Sequence, residues 1–76
     1  MSWVWRFNQQ MTQATIFYNQ KKTGIEAWNR ADLHKKFTLV VKQAATSART
    51  AHNVDVGEVT LTNSTDKYFE LLKYVS

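Results

Sequence analysis

The sequence contains no cysteine, no proline and only two glycines, and it has no long apolar run. Without cysteine, disulfides, thiol nucleophiles and cysteine-ligated zinc are excluded. The apolar runs fall far short of the roughly 20 residues that a membrane-spanning helix requires. The first residues also lack the basic and apolar regions of a secretory signal peptide. These absences predict a soluble cytoplasmic protein that does not enter a membrane.

The length of 76 residues predicts a single domain covering residues 1–76. A domain of this size buries only about 60% of the surface that its unfolded chain exposes. Small domains gain further stability from disulfides, metals or oligomerisation, and here we expect a partner surface to supply it. The hydrophobic fraction of 43% is sufficient for a core and argues against disorder.

The net charge of +4 is distributed unevenly along the chain. Residues 1–36 contain six basic and two acidic residues, whereas residues 37–76 contain four of each. An excess of positive charge in one half of a chain is typical of proteins with an acidic or nucleic-acid partner.

Four short segments have the composition of β-strands. Residues 3–7 place aromatic side chains at every second position, and residues 14–18 are rich in β-branched and aromatic side chains. Residues 25–28 follow a turn at Gly24 and would form a hairpin with the second segment. Residues 58–62 alternate again and predict the fourth strand.

The clearest helical pattern begins near Asn29, a suitable N-cap, and continues to Ala51. Its apolar residues recur every three or four positions, which indicates one buried helical face. This face consists of Leu33, Phe37, Val40, Ala44, Ala48 and Ala51. A competing interpretation makes residues 37–41 a strand, but the helical period continues for two further turns into the alanines.

A second, shorter helix is predicted to begin within residues 63–65 and to extend to Tyr74. Its apolar side would contain Tyr68, Leu71, Leu72 and Val75. The resulting order is β-β-β-α-β-α. We therefore expect an α+β fold, a small two-layer domain with a mostly antiparallel sheet and with helices on one face.

The sequence offers no combination of residues that would support catalysis. The two histidines, His34 and His52, are expected on the solvent side of one helix, and the carboxylates are scattered without acid–base spacing. No glycine-rich phosphate loop and no cluster of metal ligands occurs. We therefore expect no enzyme activity, no catalytic residue, no metal and no cofactor.

Two groups of residues suggest a binding surface. Aromatic side chains on the uncovered face of the predicted sheet would form an exposed patch, which marks binding sites in small proteins. Basic side chains near them would attract an anionic partner. The predicted partner-binding residues are Arg6, Phe17, Lys21, Lys22, Trp28, Arg30, Lys35 and Lys36.

These observations leave two functions open. The first is a protein-interaction module, which could self-associate, serve as a subunit of a larger assembly or inhibit a larger protein by docking on it. The second is a nucleic-acid-binding domain that uses the basic first half, because basic and aromatic residues together are typical of single-strand binding surfaces.

Overall fold

The computed structural model describes residues 2–23 and 30–76, together forming three α-helices and no β-strand. Helix α1 comprises Trp3–Thr23, helix α2 comprises Arg30–His52, and helix α3 comprises Ser64–Leu72. The predicted α+β fold with a mostly antiparallel sheet is therefore wrong. The predicted strand at residues 25–28 lies outside the described residues, as does the proposed N-cap Asn29.

Helix α1 replaces the strands that were predicted at residues 3–7 and 14–18. The hydroxyl group of Ser2 caps its start by accepting a hydrogen bond of 3.0 Å from the backbone N–H of Trp5. Phe7, Met11 and Ala14 are buried at helical spacing. Burial of this face outweighs the β-propensity of the aromatic and β-branched residues, because propensity is weaker than tertiary packing.

Helix α2 lies antiparallel to α1. Phe7 near the start of α1 packs edge-on against His52 at the end of α2, with ring centroids 5.0 Å apart. At the opposite end, Lys21 Nζ lies 2.8 Å from His34 Nδ1. The prediction of a helix to Ala51 is confirmed, and the competing strand at residues 37–41 is wrong. The predicted face is buried from Leu33 to Ala48 and half-buried at Ala51.

Residues 53–63, which we call the strap, connect α2 to α3. Asn53 ends α2 in the left-handed region with a φ of 55°. The strap then runs back along α2, because the backbone carbonyl of Leu61 lies 2.7 Å from His34 Nε2. The helix from His34 to His52 is about 27 Å long, and residues 53–61 span about 30 Å when fully extended. The strap is therefore largely extended apart from a turn at residues 55–57, where Gly57 has a φ of 83° and its N–H donates to Asp55 Oδ1.

The strand predicted at residues 58–62 is wrong, since the strap pairs with no strand among the described residues. The alternation of apolar and polar residues does not correspond to one buried face. Val59 is buried in the core, but Leu61, two residues further along, is exposed, as is Glu58. The strap thus buries one of the two apolar side chains that a strand would have placed on the same side.

Helix α3 packs mainly against α2. The predicted helix begins within residues 63–65, as expected, but ends at Leu72, two residues before the predicted end at Tyr74. Tyr68 and Leu71 are buried as expected, but Leu72 and Val75 are exposed, so that part of the predicted apolar side is wrong. Three helices and the strap thus enclose one core, and none of the described helices is both long and apolar enough to cross a membrane.

Candidate protein-binding surface

The residues predicted to bind a partner are not brought together into one surface. Arg6 is exposed near the start of α1, with its guanidinium carbon 5.0 Å from the centre of the Trp3 ring. Lys21 and Lys22 lie in the last turn of the same helix, about 22 Å from Arg6 along the axis. Phe17 is half-buried and packs against the core.

The remaining predicted residues fall on or before α2. Lys35 and Lys36 are exposed in its second turn. Arg30 is the first residue of α2, but its side chain lies outside the described part of the structure, as does the whole of Trp28. The aromatic sheet surface that was predicted around Phe17 and Trp28 does not exist in the described residues, since no sheet forms there.

Lys21 has a structural role that its sequence context did not indicate. Its ammonium group lies 4.6 Å from the centre of the Phe37 ring and donates a hydrogen bond to His34 Nδ1. His34 Nε2 consequently carries the ring proton and donates to the carbonyl of Leu61. Partial burial lowers the pKa of Lys21. The set of Lys21, His34 and Leu61 thus joins α1, α2 and the strap.

Most aromatic side chains likewise hold the helices together. Tyr68 of α3 stacks on Tyr18 of α1 at 5.2 Å and meets Phe37 of α2 edge-on at 5.3 Å. The hydroxyl groups of Tyr68 and Thr15 share a hydrogen bond of 2.8 Å. Phe69 contacts Tyr18 and Tyr68 from the solvent side. Tyr68, Phe37 and Tyr18 thus belong to the core or pack against it, whereas Phe69 is exposed to 47%.

One surface of α1 is exposed and carries no charged side chain. Residues 7–20 contain no Asp, Glu, Lys or Arg. Within α1, six exposed residues recur at alternating spacings of four and three and therefore share one side of the helix. We call this side the outer face of α1; it consists of Trp5, Gln9, Thr12, Ile16, Asn19 and Thr23.

The outer face of α1 exposes two large apolar side chains, Trp5 at 48% and Ile16 at 52%. Next to Ile16 lies a shallow depression of about 390 Å³, lined by Gln9, Gln10, Thr12, Gln13 and Ile16. The remaining exposed side chains of this face carry amide or hydroxyl groups. The surface can therefore bury apolar area and form hydrogen bonds without the desolvation of a charge.

The exposed side of α2 has the opposite character. Lys35, Lys42 and Arg49 are exposed at intervals of seven residues, so they form a row along the helix. Arg49 Nε lies 3.6 Å from Asp55 Oδ1 of the strap, and this ion pair partly neutralises one end of the row. Lys42 and Arg49 were missed because the charge excess was assigned to the first half of the chain.

Within residues 2–23 and 30–76 no group of three or more His, Asp or Glu side chains is arranged to hold a metal ion. His34 is engaged between Lys21 and the strap, and His52 packs against Phe7. Comparison of the chain with protein-family models, with curated proteins and with solved structures finds no match in any of the three.

Proposed function

We propose that this chain is a non-catalytic protein-binding module and that the outer face of α1 is its binding surface. The observation that supports the proposal is the absence of charge from an exposed helical face about 30 Å long. Exposed helix positions in soluble proteins are normally rich in charged residues. The cores of protein interfaces, in contrast, are depleted of charge and enriched in aromatic residues.

Trp5 is the expected energetic centre of this surface. Tryptophan is enriched among interface residues whose truncation to alanine costs 2 kcal/mol or more, because its large ring becomes fully desolvated on binding. About half of the Trp5 side chain is accessible before binding. The amide and hydroxyl groups of Gln9 and Thr12 would provide the hydrogen bonds that fix the position of a bound partner.

A photocrosslinking experiment tests the location of the surface. A photoreactive phenylalanine analogue is placed at the position of Gln9, and in a control at the position of Gln43, which is exposed on α2. After irradiation in a lysate of the source cells, we expect covalent adducts with a polypeptide from position 9 and none from position 43. Excess unlabelled protein should suppress these adducts, whereas the Trp5→Ala variant should not.

Equal adduct formation from both positions, or none from position 9, would contradict the proposal. Folding of each variant is checked by circular dichroism, and no loss is expected because both sites are exposed on helices.

The row of basic residues on α2 supports a second candidate function, nucleic-acid binding. Lys35 and Lys42 are exposed, lie about 10 Å apart along the axis and could each neutralise a phosphate. In that case the affinity for duplex DNA or single-stranded RNA must fall steeply as salt is raised from about 50 to 200 mM. Lys35→Glu with Lys42→Glu should abolish the binding, while Trp5→Ala should leave it unchanged. Salt-independent binding would exclude this candidate.

A further inference from the structure

We infer that the partner of the outer face of α1 is a second copy of this chain. In the inferred dimer two α1 helices pack antiparallel about a two-fold axis that passes between Gln10 and Met11. Trp5 of each copy then packs on Ile16 of the other, and Gln9 faces Thr12. This inference rests on the proposed function, because it names the occupant of the same surface.

The residues of the outer face have the spacing of a coiled-coil seam, which is the row of side chains along which two helices pack. From Trp5 to Thr23 its residues are separated by four, three, four, three and four positions, which is the alternation of a coiled-coil repeat. In such packing each side chain inserts into a hole formed by four residues of the facing helix. Five residues line the depression described above, and four of them have the spacing of one such hole: Gln9, Thr12, Gln13 and Ile16.

The chemistry of the seam favours an identical partner. In a two-fold interface the same patch faces itself, and in this register Gln9 and Thr12 lie near the axis, close to their own copies and to each other. A lysine or glutamate at either position would lie near the same charge of the other copy, whereas glutamine and threonine carry both a donor and an acceptor and can pair with their own kind or with each other. The chain as a whole carries a charge of +4. Two copies therefore repel each other, and contact through an uncharged face adds no close pair of like charges to that repulsion.

The charges that flank the seam select the antiparallel arrangement and its register. A parallel pair would place Arg6 beside Arg6, and the last-turn lysines beside their own copies. An antiparallel pair shifted by seven residues, centred on Ala14, would place Arg6 opposite Lys22. The register centred between Gln10 and Met11 avoids both contacts and leaves Lys21 and Lys22 beyond the end of the facing helix.

The expected dimer is weak. Two helices that overlap over residues 3–18 bury an area at or below the lower limit for stable complexes, which is about 1,200 Å². Only one Trp5–Ile16 contact occurs at each end. We therefore expect a dissociation constant no tighter than about 1 µM. Association should strengthen as salt is added, because salt screens the repulsion between two positively charged copies.

Sedimentation equilibrium of the purified chain tests the inference. We expect wild-type protein to dimerise with increasing concentration, and Ile16→Glu to weaken association at least tenfold. Leu39→Glu is the matched control, because Leu39 is exposed to 57% on α2 and Ile16 to 52% on α1. The control should dimerise like the wild type. Equal behaviour of the two variants would overturn the assignment of the surface.

The orientation is tested with single cysteines, which the cysteine-free chain makes unambiguous. In the inferred register Gln9 and its copy are offset by three residues along the axis, about 4.5 Å, and Thr12 and its copy by the same distance. Asn19 and its copy are offset by about 25 Å. Gln9→Cys and Thr12→Cys should therefore oxidise to covalent dimers, and Asn19→Cys should not. Equal oxidation at all three positions would indicate parallel helices and overturn the register.

The two proposals fail in different ways. A chain that remains monomeric at all concentrations and salt conditions overturns the self-association. If position 9 still forms adducts with another polypeptide in the lysate, the protein-binding function stands with a different partner. If position 9 forms no adduct, the proposed protein-binding function is refuted as well.

Discussion

The hydroxyl group of Thr38 in α2 donates a hydrogen bond of 2.9 Å to Ser64 Oγ, at the first residue of α3, and both side chains are buried. The two residues are 26 positions apart, so this bond fixes the start of α3 against α2. Neither hydroxyl group can exchange its partner for bulk water without the helices separating. Removal of one partner alone therefore leaves the other unsatisfied.

We expect Thr38→Val to lower the free energy of unfolding by about 1–3 kcal/mol, since it leaves the buried Ser64 hydroxyl without its partner. Thr46→Val is the control, because Thr46 is exposed and its hydroxyl bonds to a carbonyl of its own helix. Its effect should stay within about 0.5 kcal/mol. Combining Thr38→Val with Ser64→Ala should restore part of the loss. Urea unfolding of the wild type, Thr38→Val, Ser64→Ala and the double variant measures the coupling, and additive losses would contradict it.

Two adjacent residues of α2, one buried and one exposed, provide a second test of how this helix packs. Ala44 is fully buried, and Gln43 is exposed. Ala44→Asp places an unpaired charge in the core and should cost about 3 kcal/mol or more, enough to unfold a small domain. Gln43→Asp should cost less than about 1 kcal/mol. Thermal melts followed by circular dichroism distinguish the two, and similar melting temperatures would refute the packing of α2.

Replacing each of the two histidines by phenylalanine should affect the free energy of unfolding differently. His34→Phe removes the hydrogen bonds to Lys21 and to the strap, and we expect a loss of about 1 kcal/mol. His52 Nε2 is buried without a hydrogen-bond partner in the described residues. His52→Phe should be neutral or stabilising, because it removes this unsatisfied nitrogen and keeps the edge-on contact with Phe7. Equal losses in urea unfolding would contradict the expectation.

Stability should depend on the protonation of Lys21 at alkaline pH. Burial lowers the pKa of Lys21 from its ordinary value of 10.5. At pH values between the lowered pKa and 10.5, Lys21 is protonated to a greater extent in the unfolded chain than in the folded chain. The free energy of unfolding therefore rises with pH in this range. Lys21→Met, which keeps the apolar stem, should flatten this rise. Lys22→Met is the control for the lost charge, because Lys22 is exposed. A rise unchanged in Lys21→Met would contradict the prediction.

The sequence predicted α2 well because its period of 3.6 persists from Leu33 to Ala51 and competes with no other pattern. In α1 two patterns coincide. Trp3, Trp5 and Phe7 recur at every second position, as in a strand. Phe7, Met11 and Ala14 recur at every third or fourth position, as in a helix. A window of five residues shows only the period of the strand. The strap was wrongly predicted as a strand because its β-branched residues favour an extended backbone without showing whether that backbone pairs with a strand.

The candidate surface could not be predicted while α1 was interpreted as strands. The absence of charge from residues 7–20 is visible in the sequence. It defines a surface only on a helix, where Trp5, Gln9, Thr12 and Ile16 lie on the same side. On the predicted strand at residues 3–7, Trp5 would share a face with Phe7, which is buried in the core, and Gln9 and Thr12 would lie outside both strands. The row of basic residues on α2 could have been predicted from the sequence, because that helix was predicted correctly.

Because the strap is nearly extended, its length and the length of α2 depend on each other. Each residue added to α2 lengthens the helix by about 1.5 Å, and each strap residue covers about 3.3 Å. Because the strap has little slack, one added turn of α2 requires about two additional residues between Asn53 and Leu61. In any chain that shares this fold, insertions in the second helix and in the following connection should therefore occur together, in a ratio of about two to one.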